Sequence, residues 1–246
     1  MIAFAVGAAG FWTASFLAKN RVRTFLYSAG IVVLAAYVVM LWIGLGRPPT
    51  RTLGETRLWY ALLLPVVSLV VALRWRIVWP LFYGAAMSCV FLVINLLRPD
   101  AFDKTLMPAL QSPWFVPHVV VYILAYAFLS ASALGALQFL IKRENTLPAC
   151  DRAVWIGLAF LTMGLLFGAL WAKEAWGHYW TWDPKETWAF LTWAIYLAYI
   201  HLRIRHPAAK RFAAIFLLAS VAVLATCWFG VNYLPSAASS VHTYTQ

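Results

Sequence analysis

The chain has 246 residues, 64% of them hydrophobic and 11% charged, with 14 Trp, 16 Phe and 11 Tyr. Apolar runs of about 20 residues recur along its whole length, each enough to cross a hydrocarbon core of roughly 30 Å, which excludes a soluble domain and a secreted enzyme on a single anchor. The formal charge of +11 comes from 19 Lys and Arg against 8 Asp and Glu, but these residues stand in short breaks between apolar runs. The charge therefore reports topology, and no nucleic acid partner is expected.

The first run, Met1 to Ala18, has its basic cluster of Lys19, Arg21 and Arg23 after it instead of before it, which fits a first span and not a cleaved signal peptide. Dividing the chain at its charged and Pro-rich breaks predicts eight helices, over residues 1–18, 25–46, 58–73, 77–97, 116–141, 153–172, 188–204 and 212–231. Backbone in lipid has to satisfy its own hydrogen bonds, so the fold class is all-α, a polytopic integral membrane bundle of about eight transmembrane helices. The breaks at 19–24, 74–76, 142–152 and 203–211 hold twelve Lys and Arg, whereas 47–57, 98–115, 172–187 and the tail 232–246 hold seven. The positive-inside rule puts the first set in the cytoplasm, and both termini on the outer side. Six of the eight acidic residues, Glu55, Asp100, Asp103, Glu174, Asp183 and Glu186, fall in the outer set.

Cys89, Cys150 and Cys227 form no Cys-x-x-Cys pair, so neither a zinc site nor a dithiol is indicated, and without Cys-x-x-Cys-His the chain has no thioether anchor for a haem of its own. The chemistry has to come from aromatics and histidines. Six of the fourteen Trp lie within residues 171–193. An interfacial belt would spread Trp over the ends of many helices, whereas this cluster gathers in one outer break, as a large planar ligand would require. Within it Asp183-Pro184-Lys185-Glu186 reads as N-cap, Pro at N1 and Glu at N3, a capping box opening the seventh helix. A cap and a ligand role for Asp183 are compatible, because fixing the helix start fixes the angle at which the Trp segment leaves it.

The run Trp176-Gly177-His178-Tyr179-Trp180-Thr181-Trp182-Asp183-Pro184-Lys185-Glu186-Thr187-Trp188, continuing to Tyr199-Ile200-His201-Leu202-Arg203, resembles the signature of the CcsA (ResC) family of cytochrome c biogenesis. The related CcmC and CcmF proteins share a Trp-rich segment ending in Trp-Asp, but the Asp-Pro-Lys-Glu-Thr continuation is similar to CcsA in particular. The resemblance covers roughly residues 110–246. It divides the chain into N-terminal helices at 1–110, about four spans, and a haem-handling region at 111–246 with four spans, the Trp-rich external loop 172–188 and the external tail. The N-terminal part diverges: where the family shows an Asn-Met-Tyr-Glu-like stretch, this chain has Thr52-Leu53-Gly54-Glu55.

Five histidines are present: His118, His178, His201, His206 and His242. His118 opens the fifth span and aligns with Tyr122, Tyr126 and Ser130 at i+4 spacing, a polar stripe that in lipid has to face protein or ligand. His118 and His242 share the face that carries the Trp loop, and two imidazoles offered from opposite sides of a porphyrin give a six-coordinate bis-histidine iron. The resemblance implies that these two are external haem ligands and that His201, deep in the seventh helix, is an intramembrane one. His206 sits among basic residues and reads as topology charge, and His178 falls at a variable position of the motif.

What the resemblance implies is a haem-handling subunit of a system II cytochrome c synthetase. Haem b would enter near His201, move outward, and be held by Trp176, Gly177, Tyr179, Trp180, Trp182 and Asp183, with His118 and His242 on the iron. No residue is expected to act as a nucleophile; such a catalyst works by positioning. The partners implied are a ResB or CcsB-like membrane protein and an apocytochrome c, in a bacterial inner membrane or a thylakoid. A CcmC-like exporter that loads a chaperone without making the thioether is the alternative; a b-type electron carrier is disfavoured because it needs paired intramembrane histidines, and only His201 lies clearly within a span.

Overall fold

A computed structural model of the chain describes residues 1–50, 52–75, 78–102, 112–142, 146–228, 230–236 and 240. Among the described residues there are eight α-helices and no strand: α1 Ile2–Leu17, α2 Asn20–Leu45, α3 Leu53–Trp75, α4 Trp79–Leu97, α5 Phe115–Lys142, α6 Leu147–Trp176, α7 Pro184–Arg205 and α8 Lys210–Trp228. These follow the predicted apolar runs: α2, α3, α5, α6 and α7 are longer than predicted, and α1, α4 and α8 shorter by one to two residues. Six of them (α2 to α6 and α8) are long and apolar enough to cross a membrane. With 16 residues α1 falls short in length. For α7 the shortfall is in hydropathy, because Trp, Tyr, Thr, His and Arg interrupt it; a helix of that content suits packing against protein or ligand better than lipid.

The chain forms two compact units, Met1–Gln111 and Ser112–Gln246. In the first, α1 packs on α2 and α3 on α4. Pro65 stands inside α3 and has no N–H to give the carbonyl of Ala61, one turn earlier. Ser88 of α4 supplies the missing donor, its hydroxyl bonding that carbonyl at 2.5 Å. A buried carbonyl left unpaired costs about 1–3 kcal/mol, so the proline is tolerated because a neighbouring helix answers it. Glu55, the one acid kept in the divergent stretch, accepts from the backbone N–H of Thr52 at 3.2 Å while the Thr52 hydroxyl accepts from the N–H of Glu55 at 3.1 Å, a capping box opening α3. Arg47 grips the same carboxylate with both terminal nitrogens, at 2.9 and 3.0 Å.

In the second unit α5 is the central helix, packed on α6 and α8, and α7 lies against α6 and α8. Leu129, Leu161, Tyr196, Tyr199 and Leu217 are fully buried in this core. The predicted stripe on α5 faces inward: Tyr122 and Tyr126 are buried, with ring centroids 5.4 Å apart. At 30 residues α6 is about 45 Å long, more than a hydrocarbon core requires. At the opposite end from the Trp loop, Arg203 of α7 holds Asp151 of α6 through two nitrogens, each at 2.9 Å, and the Tyr199 hydroxyl donates to the same carboxylate at 2.7 Å.

Candidate functional site

The Trp segment is shorter as a loop than its sequence suggests. Because α6 runs to Trp176 and α7 starts at Pro184, only residues 177–183 connect them, and Trp176 belongs to the last turn of a helix. Gly177 ends α6 in the left-handed region at φ +84°, the conformation that glycine adopts without penalty. Lys173 donates to the Gly177 carbonyl at 2.8 Å and lies 5.4 Å from the centre of the Tyr179 ring. Trp182 is also left-handed, at φ +59°, which a residue with a bulky side chain adopts only under constraint.

That constraint comes from Glu186. Its Oε2 accepts from the N–H of Thr181 at 2.8 Å, the Thr181 hydroxyl at 3.3 Å and the N–H of Asp183 at 3.1 Å. Asp183 completes the capping box, Oδ2 accepting from the N–H of Lys185 at 3.0 Å, and the same oxygen takes a bond from the Ser240 hydroxyl at 2.9 Å. Both carboxylates are buried, Asp183 at 8% and Glu186 at 9% exposure. The loop is thus strapped back onto the first turn of α7, and Trp182 and Tyr179 are thrown outward, 62% and 56% exposed. Trp182 meets Trp180 edge-on at 5.7 Å and Phe190 at 5.7 Å. The Trp180 indole N–H is buried and, among the described residues, meets no acceptor. Lys185, before the apolar stretch of α7, is largely desolvated, which pushes its ammonium below the ordinary lysine range.

His118 stands at the start of α5, half-buried against α6. Its Nδ1 lies 2.8 Å from the carbonyl of Gly164; a carbonyl only accepts, so Nδ1 carries the proton and the neutral ring has its lone pair on Nε2. Gly168 makes room for it, and Gly164 for the neighbouring Tyr122. A Cβ on Gly164 would run into the Tyr122 ring, and one on Gly168 would lie 2.9 Å from the imidazole. The ring of His118 lies 4.7 Å from Tyr122 and 5.4 Å from Trp171, and Trp171 lies 4.9 Å from Trp176. A bond from Ser112 to Glu174, at 2.6 Å, ties the start of α5 to the end of α6 beside this group.

Of the predicted site residues, Trp176 joins His118 through Trp171, while Trp180, Trp182 and Asp183 share the capped loop with Gly177 and Tyr179. His242 lies outside the described residues. His201 is exposed on α7, with Nδ1 2.9 Å from the carbonyl of Leu197, to which it donates. It is 17 residues past Pro184, about 26 Å along the axis; the separation read from the sequence is about 20 Å, because α7 begins four residues earlier than its apolar run. His178 is exposed in the loop, and His206 is the exposed residue closing α7. Sequence reasoning missed Gly164 and Gly168, although their Gly-x-x-x-Gly spacing is a signal of close helix approach in membranes. It did not give the pairings of Ser112 with Glu174 and of Ser240 with Asp183, for which a single sequence carries no signal.

An all-helical membrane bundle with a capped Trp loop beside an oriented imidazole defines a class, and the comparison with known proteins gives it a family: the chain belongs to the family described as cytochrome C assembly protein, matched over residues 1–238. The match begins at the first residue, so it takes in the N-terminal unit as well as the region beyond residue 110. Among its relatives is the cytochrome c biogenesis protein CcsA of Parasynechococcus marenigrum (strain WH8102), 30% identical over 269 residues, covering 91% of this chain and 87% of the relative. CcsA of Chlamydomonas reinhardtii is 31% identical over 233 residues, covering 87% of this chain and 65% of the relative. CcsA of Prochlorococcus marinus (strain MIT 9303) is 31% identical over 271 residues, with 91% and 85% covered. The chain is an integral membrane protein with a role in cytochrome c biogenesis.

Proposed function

We propose that this chain takes haem b as its substrate, presents it on the outer side of the membrane and holds it while an apocytochrome c is joined to it. The observation that carries this reading is the His118 tautomer: with Nδ1 committed to the Gly164 carbonyl, Nε2 is the nitrogen whose lone pair suits iron, on a ring held in place by two helices. Exposed indole and phenol faces at Trp182 and Tyr179 give a planar macrocycle a surface to stack on. The unmet Trp180 N–H is a donor suited to a propionate oxygen. His242 is the second axial ligand in this reading, and His201 an inner waiting position.

The attachment adds a cysteine thiol across a haem vinyl group, sulfur to one carbon and the proton to the other, with no group displaced. It needs alignment of the two reactants more than a protein nucleophile, and the work of Asp183, Glu186 and Gly164 is to hold the reacting geometry. The transfer is expected to take place with a ResB or CcsB-like membrane protein. The deciding measurement is an absorption spectrum of the purified protein, oxidised and reduced: a low-spin bis-histidine haem is expected. Copurification with an apocytochrome supports synthesis, and copurification with a haem chaperone would favour the exporter reading.

The sidedness is tested separately. Twelve basic residues in one set of loops against seven in the other support an outer Trp loop. A periplasm-active reporter fused after His242 is expected to be active and one fused at Arg205 silent. The reverse pattern would place the Trp loop in the cytoplasm and end the presentation mechanism.

A further inference from the structure

The first unit carries a cleft of about 950 Å³ where three helix ends meet: the first turns of α2, the last turns of α3 and the start of α4. Part of its wall is cationic, from Arg21 and Arg23, and part is apolar, from Phe25, Leu69, Leu73 and Val78. Phe25, Leu73 and Val78 are exposed. Arg23 gives its Nε–H to the Ala18 carbonyl at 3.1 Å, so one edge of its guanidinium is fixed to the protein. Lys19 precedes the lining residues of α2, and Arg74 follows Leu73 in the last turn of α3. Nothing in the unit balances this charge. Between Met1 and Pro99 the sequence holds one acidic residue, Glu55. Its carboxylate is taken by Arg47, and it stands 18 residues before Leu73 on α3, about 27 Å along the axis. Among the described residues, Lys19, Arg21, Arg23 and Arg74 make no ion pair.

We propose that this cleft binds an anionic phospholipid, its phosphate against Arg21 and Arg23 and its hydrocarbon along Phe25, Leu69, Leu73 and Val78. Uncompensated cations beside exposed apolar side chains, at the ends of membrane-spanning helices, match a ligand with an anionic head and an apolar tail. A free phosphate satisfies the arginines and leaves the apolar wall uncovered. Haem also joins carboxylates to an apolar body, but the lining offers its iron no imidazole, thiol or thioether, and the first histidine of the chain is His118. Bound there, the lipid reaches from α2 to α3 and α4 and covers side chains that the unit itself leaves exposed. The site belongs to the first unit alone and holds whatever ligand the Trp loop takes.

The experiment uses the full-length protein, purified in detergent and titrated with palmitoyl-oleoyl phosphatidylglycerol, with the phosphatidylcholine of the same chains as reference and bound lipid counted by native mass spectrometry. The parent is expected to retain phosphatidylglycerol in preference to phosphatidylcholine. Arg21→Gln combined with Arg23→Gln is expected to weaken that retention about thirtyfold, the effect of two cations beside a lipid phosphate. Ala72→Phe fills the cleft and leaves every charge in place, and is expected to weaken it as well, with the helix content of the parent by circular dichroism. Arg205→Gln combined with Lys210→Gln removes the same charge from exposed positions of the second unit and is expected to change nothing. Equal weakening in that control would reduce the effect to general surface attraction and overturn the site. Retention unchanged in Ala72→Phe would place the lipid elsewhere and overturn it too. Displacement of the lipid by glycerol phosphate, the head without its chains, would make the cleft a small-anion site, and displacement by haemin mole for mole would make haem its occupant; either overturns the phospholipid assignment.

Discussion

Replacing His118 by Gly is expected to strip haem from the purified protein or to move its spectrum off the bis-histidine form, and added imidazole is expected to recover part of the signal. The recovery follows from how the ring is held. Its walls are Gly164, Gly168, Tyr122 and Trp171, none of which depends on the imidazole for its own backbone, so removing the ring opens a slot between α5 and α6 in which free imidazole has a carbonyl to bond and aromatic faces to meet. His242→Gly is expected to show the same loss and the same recovery. His206→Gly serves as the control, since that residue is exposed at the far end of α7, and is expected to change nothing. Unaltered spectra in the first two variants, with haem lost from the third, would defeat the ligand assignment.

Glu186→Ala is expected to cost more than Asp183→Ala, although Asp183 is the more conspicuous residue of the motif. One oxygen of Glu186 gathers two backbone N–H groups and a hydroxyl, from Thr181 and Asp183 on either side of the left-handed Trp182. Without it three donors lose this partner and the strained residue loses the bonds that flank it, an expected local cost of about 2–4 kcal/mol. Hydrogen exchange across residues 180–186 is expected to rise and haem content to fall. Glu186→Gln is expected to keep most of both, because an amide oxygen accepts the same bonds. Equal haem content in Glu186→Ala and the parent would mean that the loop's shape does not matter to its ligand.

Most of the helices could be read from the sequence because lipid imposes a simple rule: about twenty apolar residues, closed by charge. Their ends were less legible. Capping polar residues extend α3 back to Leu53 and α7 back to Pro184, past the start of the apolar run in each case. The capping box at Asp183 was legible because its residues are neighbours in sequence. What holds the loop to the rest of the unit was not: the bonds from Ser112 to Glu174 and from Ser240 to Asp183 join residues 62 and 57 positions apart, and hydroxyls that far along a chain have no pattern. The inward face of the stripe from His118 to Tyr126 was read correctly, since a polar row in lipid has only protein to turn to. The reason His118 and Tyr122 fit there, Gly168 facing the one and Gly164 the other from the facing helix, was present as a Gly-x-x-x-Gly spacing.

The clasp of Arg203 and Tyr199 on Asp151 has a consequence for movement. With the other end of α7 bound into the loop by Asp183 and Glu186, the helix is pinned at both extremities, and sliding it by one turn would break two charged hydrogen bonds at one end and the whole cap at the other. The helix is a fixed rail and not a piston. On the proposed path, haem passing from the level of His201 to the level of the Trp loop would cover those roughly 26 Å along a helix pinned at both ends, and its direction would come from its affinity at each station instead of a stroke of α7.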